Sequence, residues 1–413
     1  MSQVNITLSY EELVEVFVKS DKKEAFAFLI QKILNEILKA ESEEQIGASR
    51  YERTEERSDY RNGTRERPLV TRVGKIVLRV PRHRNVPFKS MIFDNYQRSE
   101  SALLTTMAEM VVQGVSTRKI KNVVEQLCGT NFSKSTVSEV CKKLDAEIDK
   151  FRNRFLEADY PFVMVDAKVF KVREEHRIVE KSFMVALGFT TDGRREVIGF
   201  DTYKNESEET WTDFLLNLRS RGLKDVRMIT SDSHMGLIAA IKRVYPDAAW
   251  QRCQYHFLKN ILSKVPKKYQ KGLATELREM FTAKTIEKAK ERRDQIYNDY
   301  IEIASSAMDT LLNGFDAAMT VMTLPEEMRR PLRTTNYLER ENEELERRSS
   351  VIRVFPNVES LNRLMGAVLM ERHDLMSMRR ALYSQKRYDE AIAKAKLALI
   401  KIAEEQVSLL KIA

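Results

Sequence analysis

Cysteine is scarce in this chain: three in 413 residues, at Cys128, Cys141 and Cys253. They are too few and too scattered for a disulfide framework, and they fit a reducing, cytoplasmic setting. No uncharged apolar run reaches the length of a membrane span. The stretch from Met1 to Lys19 is broken by Glu11, Glu12 and Glu15, so no signal peptide is expected. Neither G-x-x-x-x-G-K-S/T nor G-x-G-x-x-G occurs, which leaves no case for ATP, a dinucleotide or any other nucleotide cofactor. Cys253 and His256 form a C-x-x-H, but no C-x-x-C or H-x-x-x-H partners it. A structural zinc takes four ligands, so none is expected here.

What the chain does have is charge. Charged residues make up 32% and hydrophobic residues 43%, the profile of a folded protein with a heavily charged surface. The net charge is +9, and it is unevenly spread. Between Arg50 and Arg84 there are 11 basic and 5 acidic residues, so most of the excess lies in one stretch that suits a polyanion, with Arg61, Arg79 and Arg82 among its contact candidates.

The hydrophobic pattern divides the chain. Residues 8–46 carry apolar positions three and four apart and read as helix, ended by Gly47. Asn62-Gly63 is a turn signal, and Leu69 to Val80 alternates like a short strand or hairpin that Pro81 stops. Residues 100–150 return to helix. Ser116 is placed to cap Thr117 to Leu127, and after a turn at Cys128-Gly129 a second helix runs to about Phe155. Two capped helices around a glycine turn suggest a helix-turn-helix, with Arg118, Lys134, Ser135, Thr136 and Lys142 as DNA-contact candidates. A plain helical hairpin is the other reading. From residue 160 the order becomes three strands, helix, strand, helix, strand. That order matches a ribonuclease-H-like α/β fold. Residues 254–330 are helical throughout. The expected organisation is an N-terminal helical segment (1–47), a basic strand segment (48–98), a helix-turn-helix domain (99–158), a ribonuclease-H-like catalytic core in two parts (159–253 and 331–383) split by an all-helical insertion (254–330), and a C-terminal helix (384–413).

Two strands end on a carboxylate. Phe162-Val163-Met164-Val165 runs into Asp166, and Val226 to Ser231 runs into Asp232. Alone, each reads as a turn or cap residue. In a ribonuclease-H-like sheet the two strands are neighbours, which brings the carboxylates together as oxygen donors for hard divalent cations. A third carboxylate on a later helix would complete a site for two Mg2+ or Mn2+ ions and phosphodiester chemistry. Spacing leaves that third residue open among Glu339, Glu341, Glu343 and Glu344. Arg347 and Arg348 either grip phosphates or pair with those glutamates. His234, two residues past Asp232, either supports the site or touches DNA.

Several separate segments, in order, resemble the mutator-type transposases of bacterial insertion sequences. They include Tyr60-Arg61-Asn62-Gly63, Arg79-Val80-Pro81-Arg82, Gln113 to Arg118, Thr230 to Leu237, Trp250 to Phe257, Thr335 to Arg340 and Phe355-Pro356-Asn357. The resemblance covers roughly residues 30–375. It implies a DDE transposase that binds terminal inverted repeats, cleaves element ends and transfers 3′-hydroxyls, with two Mg2+ or Mn2+ ions. It assigns Asp166, Asp232 and Glu339 as metal ligands, and leaves His234, Cys253, His256 and Arg340 to support them or to touch DNA. The implied partners are double-stranded DNA and, because two ends must be handled together, a second copy of the chain; the implied location is the bacterial cytoplasm, on the nucleoid. Two other functions compete: a DNA-binding relative without catalysis, and a ribonuclease-H-like nuclease. Residues 385–413 match no part of the family pattern and read as an oligomerisation element or a packed terminal helix.

Overall fold

The computed structural model describes residues 9–14, 22–49, 52, 57–71, 74–90, 101–115, 119–120, 122–124 and 134–412. It divides into two compact units, Met1–Lys143 and Leu144–Ala413.

In the first unit, helices α1 (Tyr10–Val14) and α2 (Lys22–Ile46) precede an antiparallel hairpin of β1 (Arg61–Thr71) and β2 (Gly74–His83). Leu38 of α2 packs with Leu69, Ile76, Leu78 and Val80. Gln31 and Asn35 of α2 accept hydrogen bonds from the Val77 and Arg79 amides, so the helix covers backbone that a two-stranded sheet leaves unpaired. Asn62-Gly63 does not connect two strands, as its turn signal suggested. It lies inside β1, where the register shifts between Arg61 and Thr64 and Gly63 has φ 75°. It is a bulge, for which a glycine in the left-handed region is well suited. Nor does Pro81 stop the hairpin: it pairs with Thr64 beside that bulge, where a proline is tolerated. Helices α3 (Ser101–Val112) and α4 (Lys134–Lys142) complete this unit's named elements. Ser116, Arg118 and the Cys128-Gly129 turn lie outside the described residues, so the helix-turn-helix expectation falls largely there.

The second unit begins with α5 (Asp145–Arg152). The single helix expected to reach about Phe155 is thus broken at Lys143-Leu144. Five strands follow in one mixed sheet: β3 (Phe162–Glu174), β4 (Arg177–Phe189), β5 (Arg195–Tyr203), β6 (Met228–Ser231) and β7 (Ala249–Arg252), in spatial order β5-β4-β3-β6-β7. β3, β4 and β5 are antiparallel neighbours, while β3–β6 and β6–β7 are parallel. Each parallel step requires a crossover. One is provided by α6 (Glu208–Ser220), between β5 and β6, and the other by α7 (Met235–Val244), between β6 and β7. Ser207 caps α6 in a reciprocal box with Thr210. Trp211, Phe214, Leu215 and Leu218 from α6 and Leu237 and Ile241 from α7 form one core with Val163, Val165 and Ile229 of the central strands.

The chain then leaves the sheet for α8 (Gln254–Leu262), α9 (Lys267–Phe281), α10 (Ile286–Tyr300) and α11 (Ser305–Met319), which share a core around Phe257, Leu277, Met280 and Phe315. A 3-10 turn at Thr320–Thr323 and α12 (Glu326–Leu332) lead back. Then come α13 (Asn336–Ser349), α14 (Val358–Ser377) and α15 (Gln385–Ile412). α13 packs on β3 and β4, and α14 on β5 and α5. α15 lies along the outer strand β7. There the Gln406 amide donates to the Trp250 carbonyl and accepts from its N–H, each at 2.8 Å, as a neighbouring strand would. The terminal helix is therefore a packed one that closes a sheet edge.

Candidate active site

Asp166 does not end its strand, as the apolar run before it suggested it would: β3 continues beside β4 to Glu174, and it is the parallel pairing with β6 that stops, at Met164. Phe162, Val163 and Met164 of β3 face Met228, Ile229 and Thr230 of β6. Two residues beyond this pairing come Asp166, still within β3, and Asp232, just past the end of β6, where pairing holds the two strands about 4.8 Å apart. Asp166 is partly buried. Its Oδ1 accepts from the Ala167 amide at 2.9 Å and its Oδ2 from Asn342 Nδ2 at 2.8 Å. Burial pushes its pKa up to about 7, the Ala167 N–H works against this, and the negative charge of Asp232 adds to it. Asp232 Oδ1 accepts from the His234 amide at 3.2 Å, closing the turn that opens α7. His234 has a buried Nδ1 with no partner among the described residues.

Glu339 arrives from far along the chain, in the first turn of α13. His256 Nε2 lies 2.9 Å from its Oε1, and Thr335 Oγ1 lies 3.3 Å from the same oxygen. The His256 pKa is raised, first by this hydrogen bond and then, against the cost of burial, by the charges of Asp166, Glu339 and Asp232. One imidazole thus senses all three expected carboxylates. Cys253 is fully buried, and its Sγ receives the Thr335 amide at 3.4 Å.

The four glutamates that spacing left open have different surroundings. Glu341 is buried and paired with Arg372. Glu344 is held by Arg347 and Arg348. Glu343 is exposed. Glu339 alone of the four meets the C-x-x-H.

Two of the expected phosphate contacts are engaged within the fold. Arg348 is buried and forked onto Glu371 while its Nε bonds Glu344, so it braces α13 against α14 instead of facing outward. Arg61 is turned inward: its guanidinium donates to the Ala48 and Ser49 carbonyls and lies 3.8 Å from Glu43. Arg347 is exposed but paired with Glu344. Arg79, Arg82 and Lys142 are exposed. The backbone of Lys134, Ser135 and Thr136 is helical, and Arg118 lies outside the described residues. Arg340 is exposed and lines a cleft of about 510 Å3 with Arg330, Arg333 and Tyr337.

Three neighbours were not singled out from the sequence. Asn342 lies one turn beyond Glu339 and binds Asp166; its Oδ1 is buried and has no partner among the described residues. Thr335 links Cys253 to Glu339. Glu206 lies near enough to Asp232 and His234 for their charges to act on its carboxyl, which burial pushes up. An asparagine one helical turn from a candidate glutamate is a signal the sequence offered, because i and i+3 share a face. Nothing in the spacing marked Glu206.

These donors fit a hard divalent cation. Asp166, Asp232, the second oxygen of Glu339 and the orphaned Asn342 Oδ1 are all oxygens. Their ligand atoms are not gathered into one tight group, however. Among the described residues, the group of three that lies within 4.8 Å of one another is Cys253, His256 and Glu339.

No helix among the described residues is long and apolar enough to cross a membrane. The family model described as "Transposase, Mutator family" matches residues 1–378. The chain is 42% identical over 391 residues to "Transposase for insertion sequence element IS256 in transposon Tn4001" of Staphylococcus aureus, covering 94% of this chain and 99% of that one. It is 42% identical over 350 residues to "Transposase for insertion sequence element ISRM5" of Rhizobium meliloti, covering 84% and 87%. It is 34% identical over 348 residues to "Transposase for insertion sequence element IS1081" of Mycobacterium tuberculosis, covering 84% of each. With a family model that spans most of the chain and relatives matched over most of their length, the chain belongs to the Mutator family of transposases.

Proposed function

We propose that this chain is a DDE transposase: it binds the terminal inverted repeats of an insertion sequence, cleaves strands at the element ends and transfers the 3′-hydroxyls to new phosphodiesters. Asp166, Asp232 and Glu339 are the catalytic and metal-binding carboxylates, on a ribonuclease-H-like core. The observation that carries this reading is the placement of Asp166, within β3, and Asp232, just past β6, each two residues beyond the last parallel pair of these adjacent strands, with His256 2.9 Å from Glu339 and raised in pKa by the charges of all three carboxylates. The sheet order, antiparallel on one side of β3 and parallel on the other, supports the ribonuclease-H-like core.

The protein's own groups prepare the site. Asn342 fixes the Asp166 carboxylate, and the Asp232 side chain is set by the turn into α7. Bound there, two Mg2+ or Mn2+ ions would activate the attacking water or 3′-hydroxyl and stabilise the leaving oxygen. Exposed Arg79, Arg82 and Lys142, the helix Lys134–Lys142, and exposed Arg340 in its cleft with Arg330 and Arg333 supply the DNA contacts, and a homodimer brings the two ends together.

The test is end cleavage and joining by the purified protein on DNA carrying its own element ends, with Mg2+ or Mn2+. Asp232→Asn should abolish both reactions and leave end binding intact. Joining by the Asp232→Asn protein at the wild-type rate would refute the assignment.

A further inference from the structure

The C-x-x-H has no role in the chemistry proposed above, yet His256 contacts Glu339 and Cys253 contacts Thr335, which itself reaches Glu339. The donors converge on one oxygen. A carboxylate only accepts, so His256 Nε2 carries the hydrogen in its 2.9 Å contact with Glu339 Oε1. Thr335 Oγ1 has a single hydrogen and two neighbours, Cys253 Sγ at 3.3 Å and the same Oε1 at 3.3 Å. The carboxylate is the stronger acceptor, so the hydroxyl serves Glu339 while Cys253 Sγ takes the Thr335 amide. Thr335 sits at the N-cap of α13, where a threonine normally caps the backbone; here it makes no side-chain cap. Glu339 Oε2 has no hydrogen bond among the described residues.

We propose that Cys253 and His256 form a hydrogen-bonded clamp on the head of α13: Cys253 anchors Thr335, Thr335 and His256 hold Oε1 of Glu339, and Oε2 is left facing the site as the ligating oxygen. This rests on the reading of Glu339 as a metal ligand. Cys253, Thr335 and His256 are then positioning residues, and the C-x-x-H is not a half-built zinc site. Groups standing behind a metal ligand in this way typically change metal affinity or activity by about 10–100-fold when removed.

The experiment uses full-length protein and Mn2+ as the probe. Metal content is measured after purification, melting temperature is followed in EDTA and across a Mn2+ titration, and end cleavage is assayed in parallel. The clamp predicts substoichiometric zinc in the wild type. His256→Ala should melt near the wild type in EDTA, while its Mn2+-dependent rise in melting temperature needs about 10–100-fold more Mn2+. His256→Gln, which keeps a donor at that reach, should recover most of the affinity. Cys253→Ser should behave like the wild type, and Cys253→Val like His256→Ala. Stoichiometric zinc that is lost in His256→Ala would overturn the clamp in favour of a Cys-His-Glu metal site. Wild-type Mn2+ affinity in His256→Ala, where Glu339→Gln has lost it, would overturn the clamp alone. Unchanged Mn2+ affinity in Glu339→Gln itself would overturn the underlying assignment of Glu339, and the clamp with it.

Discussion

Removing the charge of Asp166 should stabilise the protein while it disables the site. In the fold, burial raises this carboxyl from 3.8 to about 7, with Asp232 adding to the shift. The unfolded chain ionises it near the ordinary value. Between those two pH values the folded state therefore binds more protons, and stability drains away as pH rises from about 4 through about 7. The gap corresponds to an upper bound of about 4 kcal/mol, and the solvent that reaches the carboxyl trims it to about 2–4 kcal/mol. Asp166→Asn removes this penalty. The new amide puts an NH2 where one carboxylate oxygen stood, but Asn342 can turn its own amide over to accept from it, since its Oδ1 has no partner to lose. Both tryptophans of the chain, Trp211 and Trp250, lie in the second unit, so fluorescence-monitored urea unfolding reports on that unit. In EDTA at pH 8.5 the Asp166→Asn protein should be about 2–4 kcal/mol more stable than the wild type. At pH 4 the difference should nearly vanish. Saturating Mn2+ should narrow the gap at pH 8.5, since the ion favours the wild-type fold by about 2.7 kcal/mol at a hundred times its Kd. A variant no more stable than the wild type at pH 8.5, or a difference that does not change with pH, would refute the reasoning.

Three further outcomes are expected. Asn342→Ala should bind element ends normally and melt near the wild type, because a lost hydrogen bond to Asp166 is offset by removal of an orphaned oxygen, while cleavage falls about 10–100-fold; paired binding and cleavage assays check it. Gln406→Ala should destabilise the second unit by about 1–3 kcal/mol in urea unfolding, since the Trp250 N–H and the buried Lys242 ammonium, 2.7 Å from Gln406 Oε1, each lose a partner. Arg348→Ala should cost about 1–3 kcal/mol, since Glu371 loses its partner while Glu344 keeps Arg347, yet leave the salt dependence of DNA binding unchanged, as measured by fluorescence anisotropy.

The sheet was legible because the central parts of its strands are buried on both faces. The Phe162–Val165 run is buried residue for residue, and the order of three strands, helix, strand, helix, strand is the order observed. The end of β6 located Asp232, but β3 runs on past Asp166 to Glu174, so there the end of the apolar run marks where burial on both faces stops and not where the strand does. The hairpin of the first unit was less legible in its detail. Asn-Gly signals a backbone that turns into the left-handed region, but a bulge within a strand needs that conformation as much as a connection does, so Gly63 looks the same in either role. The engagements of the arginines were hidden for a related reason. Arg61 and Arg348 have the composition of a phosphate contact, and only the placement of Glu43, Glu371 and two backbone carbonyls shows that their guanidinium groups are already engaged.

The third carboxylate shows most clearly what spacing leaves undecided. Glu339, Glu341, Glu343 and Glu344 share one helix, and periodicity ranks none above the others. What separates them is chemistry brought from elsewhere: Arg372 neutralises Glu341, Arg347 and Arg348 neutralise Glu344, and Glu343 faces solvent. Glu339 is left with neutral or titratable donors, a histidine and a threonine hydroxyl, and with one free oxygen. A carboxylate locked to an arginine has its charge satisfied and little to offer a cation. One held by hydrogen bonds on a single oxygen keeps its charge and is aimed. On the same helix, Asn342 ties that turn to Asp166. The face of α13 that carries Glu339 is thereby fastened at two points, to the C-x-x-H and to the first aspartate, and a helix fastened twice cannot rotate its carboxylate out of the site without breaking one of them.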